Sequence, residues 1–346
     1  MSERNRQPAA EPEILFEQRG RLGLITLNRP HALNALTYGM VLAMDAQLDL
    51  WADDSTISLV AIQGAGDKAF AAGGDIRALY DAGQGGNTGE KNFRFFADEY
   101  RLNTKIKRYP KPYVAIMDGI VMGGGVGVSI HGSLRIATER TVFAMPETGI
   151  GLFPDVGGTY FLPRLPGQIG MWLGLTGARL KGADTLSAGL CDLLIEASDL
   201  EDFIETLDPA GLGSVPVYPD IAAKAAIARV FSGDSVEDIL ERLGNEGTDW
   251  ADKQRTAILS KSPTSTRLAF RQIREGATLS FEDCMRLEYR LARYCMTHPD
   301  FYEGVRAVIL DKDNAPNWTP AALEAASEES VAEAFADLGD DELDLP

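Results

Sequence analysis

The chain has 346 residues, with 33 basic and 51 acidic side chains and a formal net charge of −18. An apolar fraction of 45% with 24% charged residues is typical of a globular protein with a real core, which excludes a disordered chain. Such a negative chain is a poor match for nucleic acid or an anionic membrane surface, so we expect neither as a partner. No apolar run reaches the length needed to cross a membrane.

Cysteine and histidine are too few and too scattered to indicate a disulfide framework or a metal site. The residues concerned are Cys191, Cys284, Cys295, His31, His131 and His298. Residues 1–13 are polar and carry three glutamates, which argues against a secretory signal or a mitochondrial presequence. We therefore expect a reducing, cytoplasmic location and no metal.

Strands and helices alternate over the first 200 residues, which indicates an α/β fold. After a disordered lead-in over 1–12, we expect a hairpin over 13–28 and then strands over 57–62, 113–117 and 134–137. The predicted helices are 37–51 with Thr37 as N-cap, 76–80, 91–107 and 126–131, the last of which is opened by Gly123–Gly125. A flexible loop is expected over 81–89 and a further loop over 145–159.

Helical periodicity without a convincing strand follows after about residue 200, for example over 221–231, 236–243 and 281–296. The last 26 residues carry nine acids and no base, and their end, 339–346, is expected to be mobile. The predicted domains are the lead-in 1–12, a core over 13–200, a helical region over 201–320 and an acidic tail over 321–346.

The glycine-rich segments do not match the nucleotide-binding or hydrolase motifs that glycines usually indicate. Val128 stands where the third glycine of GxGxxG would be, and the chain contains neither GxxxxGK[ST] nor GxSxG. What remains is carboxylate chemistry supported by backbone N–H groups.

Four segments carry unusual residues, namely 68–76, 118–127, 143–149 and 153–158. The first two place paired or tripled glycines before a helix, where N–H groups can face an oxyanion. The last two place Glu147 and Asp155 eight residues apart in an apolar loop rich in glycine and proline, which raises carboxylate pKa values. A plain turn, close helix–strand packing and surface caps are the alternative explanations.

Together with Leu27–Leu36, these segments resemble the crotonase (enoyl-CoA hydratase/isomerase) superfamily. Within it, the run FAMPETGIGLFPDVGGTYFL at 143–162, Ser262–Ser265 and the segment 285–312 resemble the 3-hydroxyisobutyryl-CoA hydrolases. The resemblance implies a crotonase-like spiral of repeated ββα units followed by a helical C-terminal region.

The resemblance also implies roles for individual residues. The N–H groups of Gly74 and Gly124 would form an oxyanion hole, and Glu147 would be the catalytic nucleophile or base. Asp155 would contact the acyl end of the substrate or protonate the leaving group, and Glu99 would contact substrate. The candidate phosphate contacts for coenzyme A are Arg29, His31 and Lys68.

The implied reaction is hydrolysis of a short 3-hydroxyacyl-CoA thioester, 3-hydroxyisobutyryl-CoA or 3-hydroxypropionyl-CoA, in valine breakdown. Coenzyme A is then part of the substrate and no cofactor is expected, while a homo-oligomer is open. An enoyl-CoA isomerase or hydratase and a non-catalytic CoA-binding protein are the alternatives. Hydratases of this superfamily carry a second glutamate two residues after the glycine run, where this chain has Gly127.

Overall fold

Two sheets organise the computed structural model, which describes residues 11–84, 88–207 and 223–345. The strands are β1 Ile14–Arg19, β2 Leu22–Leu27, β3 Leu59–Gly64, β4 Ala69–Ala72, β5 Tyr113–Met117, β6 Ile120–Met122, β7 Leu134–Thr138, β8 Val142–Ala144, β9 Leu180–Lys181 and β10 Leu193–Ile195. The larger sheet has the order β1-β2-β3-β5-β7-β10 and is parallel except for the β1–β2 hairpin. The smaller sheet has the order β4-β6-β8-β9.

Helices cover these sheets and make up the second half of the described chain. They are α1 Tyr38–Asp53, α2 Ile76–Gln84, α3 Thr88–Lys107, α4 Gly124–Gly127, α5 Gly158–Phe161, α6 Ile169–Thr176, α7 Ala183–Ser187, α8 Leu200–Glu205, α9 Lys224–Val230, α10 Val236–Glu246, α11 Asp249–Leu259, α12 Pro263–Gly276, α13 Phe281–Thr297, α14 Pro299–Val305 and α15 Glu328–Ala334.

Consecutive strands alternate between the two sheets. β3, β5 and β7 lie in the larger sheet, and each is followed directly by a strand of the smaller sheet, β4, β6 or β8. Helices follow the first two of these pairs, α2 and α3 after β4 and α4 after β6, so the chain advances through the ββα repeats that the family resemblance implies.

The central strands β2, β3 and β5 of the larger sheet are buried on both faces, and side chains alternate between these faces as strand geometry requires. On one face Val60 and Ile62 join the main core, which extends from β1 to the chain's last helices. On the other, Leu59 and Ala61 join a smaller core closed by Ile204 of α8. The predicted domain boundaries at 200 and 320 stay predictions.

Several predicted elements are confirmed at close bounds. The hairpin turns at Gly20, α1 is capped by Thr37, whose Oγ1 accepts the N–H of Met40 at 3.2 Å, and β5 has the predicted range. The described C-terminal region is helical, although the whole of 208–222, including the start of the helix expected over 221–231, lies outside the described residues.

Two predicted elements in the first half are wrong. The loop expected over 81–89 is helix at both ends, because α2 continues to Gln84 with Gly83 packed against Tyr302, and α3 begins at Thr88. Residues 85–87 and residues 1–10 of the lead-in lie outside the described residues. The helix expected over 126–131 ends at Gly127, where the Ser129 hydroxyl donates back to the Gly125 carbonyl at 2.7 Å.

The expectation of a mobile chain end is also wrong for the described residues of the acidic tail. Leu343 and Leu345 are buried. The guanidinium of Arg290, on α13, pairs with Glu342 at 2.6 Å and with Asp337 at 2.9 Å. The tail acids therefore lie against arginines of the core, and the excess negative charge is partly neutralised in the fold.

Candidate active site

The carboxyl ends of three strands meet at one edge of the smaller sheet. β4, β6 and β8 are parallel neighbours, so their carboxyl ends share an edge, the usual ligand position in parallel sheets. The chain leaves this edge at Gly73–Gly74, Gly123–Gly124 and Pro146–Glu147. Three of the four segments that the sequence singles out are thus neighbours because of strand pairing.

A cavity of about 400 Å³ opens at this edge. Apolar side chains from α2 and α3 form much of its wall. Gly74, Gly124, Glu99, Glu147 and Asp155 all line it, so the structure brings together every catalytic, oxyanion-hole and acyl-binding residue that the sequence predicts. Its size is within the usual range for small-molecule sites.

The glycines at the cavity are required by close approach. A Cβ on Gly124 would lie 2.8 Å from Glu99 Oε1 and 3.2 Å from the backbone nitrogen of Gly74. A Cβ on Gly125 would lie 2.3 Å from the carbonyl oxygen of Ala71. Gly124 thus exposes its backbone to the cavity, whereas Gly125 serves helix–strand packing, so both explanations of the glycine run hold, at different positions.

Glu147 begins a 3₁₀ turn directly after β8 and is 4% exposed. Its Oε2 has no hydrogen-bond partner among the residues that the structure describes. Burial, and then the Asp155 carboxyl, raise the pKa of Glu147 well above its ordinary value, while the partly buried ammonium of Lys261 acts in the opposite direction. An unpaired, desolvated carboxylate is a strong base and nucleophile.

Asp155 follows in the next loop and is also 4% exposed. Its Oδ2 accepts the hydroxyl proton of Tyr100, on α3, at 3.1 Å. Burial raises the pKa of Asp155 to about 7, and the bond from Tyr100 lowers it in part. Near neutral pH this carboxyl can therefore give or take a proton.

Glu99 precedes Tyr100 on α3 and is buried. Its Oε1, the atom next to Gly124, has no hydrogen-bond partner among the described residues. Burial, followed by the charges of Asp155 and Glu288, raises the pKa of Glu99 well above its ordinary value. Glu99 therefore presents an unpartnered, buried carboxyl oxygen to the cavity, which suits contact with a polar group of a substrate.

Sequence reasoning missed Glu288, a fully buried carboxylate of α13. Both its oxygens accept backbone N–H groups, from Gly157 at 2.7 Å and Thr159 at 2.8 Å. Burial raises the pKa of Glu288 to about 8, and the two N–H donors oppose that rise. The signal was present in the sequence, since this acid interrupts an apolar helical stripe that includes Cys284 and Leu291.

The three candidate phosphate contacts do not line the cavity. The Arg29 guanidinium is mostly buried, donates to the carbonyl of Ala35 at 2.7 Å and pairs with Asp75 at 3.3 Å. His31 and Lys68 are exposed on adjoining segments outside it. Their contact with coenzyme A stays a prediction.

The remaining features concern metals, thiols and membranes. Over the described ranges, no group of three or more His, Cys, Asp or Glu is placed to hold a metal ion. Cys191, Cys284 and Cys295 are free and buried. Within the same ranges, no helix has the length and apolarity to cross a bilayer.

Comparison with known proteins places the chain in a family. Residues 22–335 match the family model described as enoyl-CoA hydratase/isomerase. A protein of Gallus gallus named 3-hydroxyisobutyryl-CoA hydrolase, mitochondrial, is 48% identical over 352 residues, which cover 96% of this chain and 91% of that protein. A protein of Homo sapiens with the same name is 43% identical over 358 residues, covering 96% and 91% of the two chains.

Solved structures confirm the predicted fold class. A structure described as an enoyl-CoA hydratase from Rhodobacter sphaeroides superposes with a TM-score of 0.91 at 39% identity, covering 96% of this chain and 100% of that one. One described as a carnitinyl-CoA dehydratase from Mycobacterium thermoresistibile gives 0.90 at 40% identity, covering 96% and 98%. The chain therefore belongs to the enoyl-CoA hydratase/isomerase family, in its 3-hydroxyisobutyryl-CoA hydrolase branch.

Proposed function

We propose that this protein hydrolyses 3-hydroxyisobutyryl-CoA to the free acid and coenzyme A. The observation that carries the proposal is the desolvated Glu147 carboxylate, unpaired at Oε2, in the same cavity as the backbone of Gly74 and Gly124. Relatives that are 43–48% identical over most of both chains bear the name of this hydrolase, which supports the choice of substrate.

The thioester carbonyl oxygen would accept hydrogen bonds from the N–H groups of Gly74 and Gly124. Gly124 is the first residue of α4, where the N–H has no partner inside the helix, and the Gly74 nitrogen lies next to it. Fixed donors in a dry cavity stabilise the negative charge that develops on the oxygen as the carbonyl is attacked.

Glu147 would act as the nucleophile. Its carboxylate oxygen forms a bond to the carbonyl carbon, the C–S bond breaks, and coenzyme A leaves as a thiolate that takes a proton from Asp155. Water then attacks the mixed anhydride and gives one proton to the Asp155 carboxylate. This step releases the acid and regenerates the Glu147 carboxylate and the protonated Asp155 carboxyl. The alternative, in which Glu147 activates water for direct attack, leaves no covalent intermediate, so hydroxylamine trapping in a single turnover separates the two.

Glu99 would contact the 3-hydroxyl group, since its unpartnered Oε1 faces the cavity beside Gly124. A site that hydrogen-bonds a substrate hydroxyl strongly rejects an analogue without one. We therefore expect 3-hydroxypropionyl-CoA to be hydrolysed and the saturated acyl-CoA lacking the hydroxyl to be hydrolysed poorly.

Hydration of an enoyl-CoA is the second candidate, because solved structures at 39–40% identity are described as hydratases or dehydratases. The environment of Gly127 argues against it. A Cβ there would lie 2.7 Å from Val156 Cβ and 2.8 Å from Asn103 Nδ2, so the second glutamate of the hydratases has no room at this position.

The test is an acyl-CoA panel assayed for free thiol, with crotonyl-CoA and a 3-enoyl-CoA followed in parallel for hydration and isomerisation. We expect thiol release from the two 3-hydroxyacyl-CoA esters and a fall of at least ~10³-fold in kcat for Glu147→Gln. Glu241→Gln, at an exposed glutamate of α10, is the matched control. Absence of thiol release by the wild type, or full activity of Glu147→Gln, contradicts the proposal.

The proposed function has consequences for the cellular location, the pathway and the assembly of the protein. Free buried thiols favour a reducing compartment, and we propose the cytoplasm, although the relatives named above are mitochondrial in their own cells. The proposed product fits valine breakdown. Fractionation of the source cells tests the location, and light scattering after gel filtration tests whether the chain forms a homo-oligomer.

A further inference from the structure

The loop that carries Asp155 has an unfavourable backbone. Val156 has a φ of 52° and Gly157 a φ of 90°. A β-branched residue rarely adopts the left-handed region, and such a conformation persists only where the surroundings enforce it. A substitution at Gly157 cannot relax the loop, since a Cβ there would lie 2.3 Å from His131 Cε1.

Glu288 makes two of the contacts that enforce this conformation. Its two oxygens accept the N–H groups of Gly157 and Thr159, the first of which follows Asp155 by two residues. Glu288 is 131 residues after Gly157 and 129 residues after Thr159 in sequence, and its side chain is 0% exposed. A buried side chain of the C-terminal helical region therefore binds the backbone of this loop. Both bonds lie in a buried site, where hydrogen bonds are electrostatically stronger than in water.

Two further buried side chains hold carbonyl groups on either side of Asp155. Gln272 of α12 donates from Nε2 to the Pro154 oxygen at 2.6 Å, and the His131 ring contacts the Val156 oxygen through Nε2 at 2.7 Å. Burial lowers the pKa of His131 to about 3, so the ring is neutral and carries its proton on the nitrogen that faces the carbonyl. The carbonyl groups of the residues before and after Asp155 are therefore both held from outside the loop.

We propose that Glu288 is a positioning residue that aims Asp155 into the cavity. Gln272 and His131 support it, and the C-terminal helices thereby complete the active site. The inference rests on the proposed thioester hydrolysis for its kinetic consequence, but the loop geometry it describes is independent of the reaction. Glu288 hydrogen-bonds the strained turn directly, at Gly157, and belongs to α13 of the C-terminal helical region.

The perturbation is Glu288→Gln, which keeps the size of the side chain. An amide has one acceptor oxygen and one donor NH₂ group, so one of the N–H groups of Gly157 and Thr159 would face a donor. Cys284→Ala is the matched control, since Cys284 is fully buried one turn earlier on α13 and its Sγ faces the Gly276 carbonyl rather than the loop.

The first measurement is amide hydrogen exchange over residues 154–159, read by mass spectrometry or NMR. We expect faster exchange in this segment for Glu288→Gln and no change there for Cys284→Ala. This readout needs no substrate, so it stays decisive if the wild type turns over none of the acyl-CoA esters and the proposed function fails. Unchanged exchange in Glu288→Gln overturns the proposal.

The second measurement separates kcat from KM for 3-hydroxyisobutyryl-CoA. Displacing a reacting group by about an ångström lowers the rate by up to about 100-fold, so we expect a 10- to 100-fold fall in kcat for Glu288→Gln. KM should change less than about threefold, because the groups that contact coenzyme A are untouched. A kcat within twofold of wild type, or an equal fall in Cys284→Ala, overturns the proposal.

Discussion

Replacing Asp155 with asparagine should remove activity and make the protein more stable at neutral pH. The folded environment raises the pKa of Asp155 from 3.8 to about 7, mainly through burial. For an acid of this kind, the stability contribution is fully present below the unfolded pKa and is lost as pH rises towards the folded pKa. Asparagine cannot ionise, so the variant avoids that loss.

The magnitude follows from the same two values. A rise of the pKa from 3.8 to about 7, at 1.36 kcal/mol for each unit, amounts to about 4 kcal/mol of lost stability at pH 7 and above. The amide of asparagine needs an acceptor that the carboxyl did not, which costs about 1–2 kcal/mol. We therefore expect the free energy of unfolding of Asp155→Asn at pH 8 to exceed that of the wild type by about 2–3 kcal/mol.

The assay is denaturant unfolding of both proteins between pH 4 and pH 8, with Asp67→Asn, at an exposed turn, as the control. The gain of Asp155→Asn should be smallest near pH 4, grow up to about pH 7 and then level off. Asp67→Asn should show no such trend. A gain that does not depend on pH, or an Asp155→Asn variant less stable than wild type at pH 8, refutes the reasoning.

Two further substitutions test other parts of the cavity. Gly124→Ala should lower kcat/KM at least 100-fold in the thiol-release assay, because the added methyl would lie 2.8 Å from Glu99 Oε1 and 3.2 Å from the Gly74 nitrogen, where the thioester oxygen should bind. Tyr100→Phe removes a hydrogen bond to the charged form of Asp155, so the pKa of Asp155 should rise further. If Asp155 protonates the leaving thiolate, the alkaline limb of the kcat profile should move up by about one pH unit.

Controls and contrary outcomes differ for these two variants. Gly244→Ala is the control for Gly124→Ala, since it lies in helix α10 with nothing within 4 Å of the added Cβ. Wild-type activity of Gly124→Ala would remove its backbone from the proposed oxyanion hole. An unmoved or downward-moved limb in Tyr100→Phe would show that Asp155 is not the group that titrates in the reaction.

Local patterns marked Glu147 and Asp155 as candidates, and the family resemblance supplied their roles and added Glu99, Gly74 and Gly124. Glu147 and Asp155 stood out because carboxylates are unusual in a loop of glycine, proline and apolar residues, and both are buried in the cavity. The Gly123–Gly125 run could only be divided by structure, since Gly124 faces the cavity and Gly125 faces Ala71. Whether a glycine of this run faces the cavity or packs against a strand depends on the position of β4, which carries Ala71.

Contacts between distant segments account for what the sequence did not predict. The chain end over 339–346 was expected to be mobile, yet its Glu342 pairs with Arg290 on α13, 52 residues earlier. Glu288 escaped notice for the same reason, because its partners Gly157 and Thr159 are more than 100 residues earlier. Sequence analysis judges a charged side chain by its neighbours in sequence, whereas its electrostatic energy depends on the groups that lie near it in space.

Burying several carboxyl groups around one cavity lowers the stability of the folded state, because these groups lose hydration. Apolar burial by the helical C-terminal region offsets part of that cost. Glu99, Glu147 and Asp155 each lose hydration, and one oxygen on each of the first two has no hydrogen-bond partner among the described residues. The helices α12 and α13 supply apolar burial and, through Gln272 and Glu288, hold the loop between them. A chain shortened to the ββα repeats would keep Glu147 but lose Gln272 and Glu288, two of the side chains that hold the loop of Asp155. The region after residue 200 is therefore as much a part of the active site as the sheet edge that carries Glu147.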